Sequence, residues 1–224
     1  MSEAFVYDAI RTPRGKGKKD GSLHEVKPIS LLSGVLRELQ SRNQFDTAAV
    51  DDVVMGVVSP IGEQGSVIPK VAALAAGWDW RCSGVQLNRF CASGLEAVNM
   101  AAMKVRSGWE DLVVAGGVES MSRVPIGAGG KKELGLGVPI PKSYFGQYEM
   151  TSQFEGAERI ADHWGITRAD TDLFGYNSQQ RAARAWAEDR FAGQYLEVTA
   201  PDADENGKRQ RRSAQKVQFV AARG

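Results

Sequence analysis

The strongest constraint on the fold is an alternation in residues 1–120, where short apolar runs are separated by longer segments with helical spacing. Residues 4–10, 53–58, 84–87 and 112–118 are rich in Val, Ile and Leu without strict alternation, as strands covered on both faces are. Between them, Leu32, Leu36 and Leu39 recur at helical spacing, and Ile68, Val71, Ala72 and Ala75 do so before Gly77 ends the pattern. Leu95, Val98, Ala102 and Val105 form a third stripe, closed by Gly108. Strand, crossover helix, strand is the order of βαβ units, so the expected class is α/β with a largely parallel sheet.

Residues 121–147 lose all periodicity and fill with Gly, Pro, Ser and Lys, which predicts a long functional loop. Beyond it, Phe154, Ala157, Ile160, Ala161 and Trp164 make a helical stripe stopped by Gly165. Thr167 with Asp170 then signals the start of a helix running to about Asp189. From Pro201, Asp202, Asp204 and Glu205 precede Lys208, Arg209, Arg211 and Arg212, with no core pattern after them. The expected division is an α/β domain over 1–120, a mainly helical region over 121–200 and an irregular basic tail over 201–224. A basic run of this kind is usually solvated, and a truncation or shifted reading frame explains the tail better than nucleic-acid binding does.

With 42% apolar residues in 224, the chain can bury one good core or two modest ones. Its 28 basic side chains meet 27 acidic ones, which leaves no overall field for nucleic acid or a membrane surface. No run approaches the roughly 20 apolar residues that span a bilayer, and the N-terminus lacks a basic flank before an apolar run, so the expected address is cytoplasmic. Cys82 and Cys91 are too few for a disulfide framework and too far apart for a metal clip, and no His pair stands at ligand spacing.

The segment Asn88-Arg89-Phe90-Cys91-Ala92-Ser93-Gly94 falls between a predicted strand and a predicted helix starting near Ala92. A thiol there faces unpaired N–H donors and the positive end of the helix dipole, which favours the nucleophilic thiolate. The same donors can stabilise an oxyanion during acyl transfer, and the small residues Ala92, Ser93 and Gly94 leave room for a bulky thioester. On local pattern alone, a buried structural cysteine fits Cys91 equally well. Cys82 is expected to pack as a small side chain. Glycines 15, 116 and 117 are expected to serve turns and close packing. Glu119, at a strand end, reads either as a buried structural acid or as a group orienting the loop beneath Cys91.

The run Asn88-Arg89-Phe90-Cys91-Ala92-Ser93-Gly94-Leu95-Glu96-Ala97-Val98 resembles the nucleophile segment of the thiolase family. Ala9-Ile10-Arg11-Thr12-Pro13 with Gly15 resembles that family's start, and Ala115-Gly116-Gly117-Val118-Glu119-Ser120-Met121-Ser122 resembles its passage after the nucleophile helix. The resemblance covers residues 1 to about 200 in order. It implies a layered thiolase-like α/β half followed by a loop domain from near Met121 that covers the site and binds coenzyme A. It further implies that Cys91 accepts an acyl group from a 3-oxoacyl-CoA, with its backbone N–H in the oxyanion hole, and that coenzyme A takes the acyl group away, or the reverse condensation.

Where short-chain biosynthetic thiolases carry a His-Met-Gly run, this chain has Ser152-Gln153-Phe154-Glu155-Gly156-Ala157-Glu158, closer to degradative members; Gln153 and Phe154 are the implied substrate contacts. The family's Gly-His-Pro histidine and second cysteine, which lie in its second half, are missing from this sequence, whose histidines are His24 and His163. The expectation is therefore a catalytically incomplete chain, with acyl-CoA and coenzyme A as substrates and no metal or prosthetic group. Homo-oligomers, or a hetero-oligomer with a β-oxidation subunit, are the implied assemblies. The competing reading is a non-catalytic module that binds coenzyme A or pairs with another subunit; a ketoacyl synthase is disfavoured by the 118–122 passage.

Overall fold

Val53 and Val54 are 0% exposed, and Met55 and Val57 scarcely more; this run organises the fold. The computed structural model describes residues 3–130, 135, 137, 139–200, 202–203 and 209–210. The described elements are α1 (Pro28–Asn43), β1 (Asp52–Gly56), α2 (Ile68–Ala75), β2 (Val85–Leu87), α3 (Ser93–Ser107), β3 (Val113–Gly117), α4 (Gln153–Trp164), α5 (Arg168–Ala187), β4 (Asp202–Ala203) and β5 (Arg209–Gln210). They fall into two compact units, one drawn from Met1–Gly129 and Gly193–Phe219, the other from Gly130–Ala192.

In the first unit β1 is the centre of a parallel sheet in the order β2-β1-β3, with Val54 opposite both Val85 and Ala115. Parallel neighbours need crossover connections, and α2 and α3 supply them. Successive side chains of β1 point to opposite faces. Val53, Met55 and Val57 join Leu32 and Leu36 of α1, Ile68, Ala72 and Ala73 of α2, and Trp78 and Cys82 in one apolar cluster. On the other face α3 packs against β1 and β3. Lys104 of α3 donates to Asp52 Oδ2 at 2.7 Å and to Glu110 Oε1 at 2.6 Å, tying the end of the helix to the start of β1. Burial pulls the Lys104 ammonium towards deprotonation, but the two carboxylates outweigh it and hold its pKa above the ordinary value.

Three expectations need correction. Residues 4–10 form no strand: they find no ladder partner among the described residues, and Phe5, Val6 and Tyr7 stand exposed. A run of β-formers without a neighbouring strand has nowhere to place its backbone hydrogen bonds. Only Arg11 pairs, its N–H donating to Gln194 O at 3.1 Å and its carbonyl accepting from Leu196 N–H at 2.8 Å. Second, covering on both faces holds for β1 alone, since β2 is half-buried throughout and β3 largely so. Third, the apolar stripe of α3 is not its inward face. Leu95 is 66% and Val98 42% exposed, while Ser93, Ala97 and Ala101, at intervals of four residues, face the sheet. Small residues win there because they let the helix backbone approach the strands closely.

In the second unit, Ser152 Oγ accepts from Glu155 N–H at 3.1 Å to cap α4, and Gly165, at φ 64°, ends it. The predicted cap of α5 is present as a reciprocal pair, Thr167 Oγ1 accepting from Asp170 N–H and Asp170 Oδ2 accepting from Thr167 N–H. Neither helix has a buried residue, and Phe154 and Trp164 of the α4 stripe are exposed. The α5 helix ends at Ala187, two residues short of expectation. In the tail, β4 and β5 pair antiparallel; the rest of 204–224 lies outside the described residues.

Cys82 packs as expected, with no exposed surface, and burial pushes its thiol up to about 11. Because the folded-state value exceeds the unfolded one, its contribution to stability is complete below pH ~8.5 and is lost as pH rises towards 11. A shift of this size corresponds to about 2–3 kcal/mol. Urea unfolding of the native chain should therefore weaken between about pH 9 and 11, and Cys82→Ala should flatten that slope; parallel slopes in the two proteins would count against it.

Candidate active site

Residues 88–92 join β2 to α3, and their path is set by a tight turn. Phe90 adopts φ 47°, the left-handed region, which costs a residue with a Cβ about 1–2 kcal/mol. Both of its peptide groups are held. Its N–H donates to Asn88 Oδ1 at 2.8 Å, and its carbonyl accepts from Ser93 Oγ at 2.6 Å and Ser93 N–H at 3.0 Å. Ser93 Oγ in turn accepts from Arg89 N–H at 2.9 Å, so this buried hydroxyl closes the turn from both sides. Ser93 was expected to leave space for substrate; its side chain is instead committed to the turn.

Cys91 follows Phe90 and stands exposed as a free thiol. The helix starts at Ser93, with Ala92 at the N-cap and no side chain capping it. Among the first N–H groups of a helix, which have no partner within it, that of Ser93 is already taken by the Phe90 carbonyl. The buried-cysteine alternative therefore describes Cys82 and not Cys91.

The first turn of α3 lies directly on β1. A Cβ built on Gly56 would stand 2.5 Å from the Ser93 carbonyl carbon and 2.7 Å from Gly94 N. The neighbouring Gly117 is equally close-packed, a Cβ there falling 2.8 Å from Gly56 O. This confirms close packing as the use of Gly117.

Of the two readings of Glu119, the buried structural acid does not hold: the residue is exposed and its carboxylate works from the rim. Oε2 accepts from Val58 N–H at 2.8 Å and Oε1 from Gln64 Nε2 at 2.9 Å. Gln64, fully buried, also donates to Ser59 O and accepts from Ser120 N–H. Asn88 Nδ2 donates to Val58 O at 3.0 Å, which joins this cluster to the Cys91 turn. Nothing in the sequence singled out Gln64 or Gly56: a glutamine in a Gly-rich loop and a glycine at a strand end carry no periodic signal.

Gln153 and Phe154 open α4, in the unit that does not contain Cys91, and Phe154 is 86% exposed. No described helix is long and apolar enough to cross a membrane.

The α/β unit thus presents an exposed cysteine on a strand-to-helix turn. Residues 4–220 match the family described as thiolase, N-terminal domain, and the chain belongs to the thiolase family. It is 36% identical over 205 residues to a steroid 3-ketoacyl-CoA thiolase of Mycobacterium tuberculosis, covering 88% of this chain and 50% of the relative. It is 37% identical over 224 residues to a β-ketoadipyl-CoA thiolase of Pseudomonas knackmussii, covering 91% and 55%. Against a 3-ketoacyl-CoA thiolase of Bacillus subtilis the identity is 35% over 211 residues, covering 93% and 52%. The chain thus spans about half the length of the curated relatives it matches. Thiolases act on coenzyme A thioesters.

Proposed function

We propose that this chain is the nucleophile-bearing part of a thiolase that cleaves a 3-oxoacyl-CoA with coenzyme A or runs the reverse condensation. The observation that carries the reading is the exposed Cys91 on the held turn before α3. Its thiolate attacks the C3 carbonyl, and the oxyanion is met by the backbone N–H of Cys91. The C2–C3 bond then breaks, its electron pair takes a proton at C2 and acetyl-CoA leaves. Coenzyme A thiolate next attacks the acyl carbonyl and frees Cys91 Sγ. In this reading residues 121–200 form the covering domain that binds coenzyme A, with Gln153 and Phe154 as substrate contacts, in the family's layered architecture.

Each step also needs a base and a proton shuttle. Neither His24 nor His163 lies in a Gly-His-Pro context, so we expect this chain to acylate without sustained turnover. Intact mass spectrometry after brief incubation with acetyl-CoA or acetoacetyl-CoA should find one acetyl adduct that vanishes in Cys91→Ala. An adduct that persists in that variant, or none in the parent chain, would sink the nucleophile assignment.

The exposed Leu95, Val98 and Met103 favour a second reading, a coenzyme A-binding or assembly module that joins another subunit or a second copy. A module of that kind forms no adduct, so the same spectrum separates the two.

A further inference from the structure

We infer that Asn88 and Glu119 are positioning residues for Cys91, acting through the peptide groups of Val58 and Phe90. One hydrogen-bonded path connects them. Buried Gln64 donates to Glu119, which accepts from the Val58 N–H. The Val58 carbonyl accepts from Asn88, and Asn88 accepts from the N–H of Phe90. Cys91 is the next residue. Since Phe90 sits in the left-handed region, the direction in which Cys91 leaves the strand depends on that residue's staying there. Ser93 holds its carbonyl, and among the described residues only Asn88 holds its N–H.

The chemistry of each partner is specific. The two oxygens of Glu119 receive two donors, so an amide cannot replace the carboxylate: Glu119→Gln offers one oxygen and turns an NH2 group against the second donor. Asn88 must accept on one side and donate on the other, which makes Asn88→Asp a partial substitute and Asn88→Ala none.

The proposal rests on the thiolase reading for its consequence in acyl transfer, but not for its geometry. A misplacement of about 1 Å can cost acyl transfer up to ~100-fold. In Glu119→Gln and Asn88→Ala, acylation of Cys91 by acetyl-CoA should fall by about 10- to 100-fold. Alkylation of Cys91 by iodoacetamide should fall at least about threefold, with Asn88→Asp in between. Buried Cys82 is the internal control and should stay unalkylated in every variant.

If acylation and alkylation are unchanged, the proposal is overturned. It is equally overturned if Cys82 becomes reactive in step with the change at Cys91, because that reports a loosened core and a merely structural role. If the parent chain forms no acetyl adduct, the thiolase reading fails alone. Alkylation then decides the positioning role: slowed at Cys91 with Cys82 protected supports it, and unchanged rates overturn it.

Discussion

Replacing Gly56 with alanine is expected to destabilise the chain by about 3 kcal/mol, the upper end for an overpacked core position, and to slow alkylation of Cys91. The added Cβ meets main-chain atoms of Ser93 and Gly94 and not the end of a flexible side chain, so no rotamer change relieves it. Gly56 is paired with Leu87 on one side and Gly117 on the other, which anchors β1 between two strands. The first turn of α3 is therefore the part that gives way, and Cys91 moves with it. Urea unfolding with an unchanged m-value checks the stability change. A midpoint close to that of the parent chain would mean that the helix start yields freely, and that Gly56 does not set its place.

Lys104→Met should have an effect of similar or larger size, about 3–5 kcal/mol, for the opposite reason: it leaves charge without a partner. Asp52 and Glu110 retain only 8% and 12% of their side-chain surface, and Lys104 bridges them. Removing the ammonium strands Asp52 at the start of the central strand. Neutralising the carboxylate as well, in Asp52→Asn with Lys104→Met, should recover a substantial part of the loss, since replacing both partners of a buried pair costs less than removing one. Additive losses in the double variant, read from urea midpoints, would show that the pair is not coupled.

The three strands of the parallel sheet and the helices between them were legible because periodicity and Gly or Pro punctuation are local. Gly77, Gly108 and Gly165, all at positive φ, end the predicted patterns where expected. What periodicity cannot say is which face of an element has a neighbour. Leu95 and Val98 looked like the inward stripe of α3, yet Ala97 and Ala101 fill that role, because α3 approaches the sheet at backbone distance. Residues 4–10 have strand composition but no ladder, since pairing depends on a partner and not on propensity. At the site, Cys91 was visible through its place between strand and helix and its resemblance to the thiolase segment. The hydrogen bonds that tie its turn to Val58, Gln64 and Glu119 were not, because Gln64 and Glu119 stand 55 residues apart and meet only in the folded chain.

The contact between Gly56 and the first turn of α3 also bears on how such a chain can diverge. Main chain rests on main chain there, and no core side chain intervenes between the strand and the helix that follows Cys91. Leu36, Ile68 or Val53 could drift to other apolar residues of similar volume without moving that contact. Substitutions can thus accumulate through much of the interior while that ledge, and the place of Cys91 beside it, stays where it is.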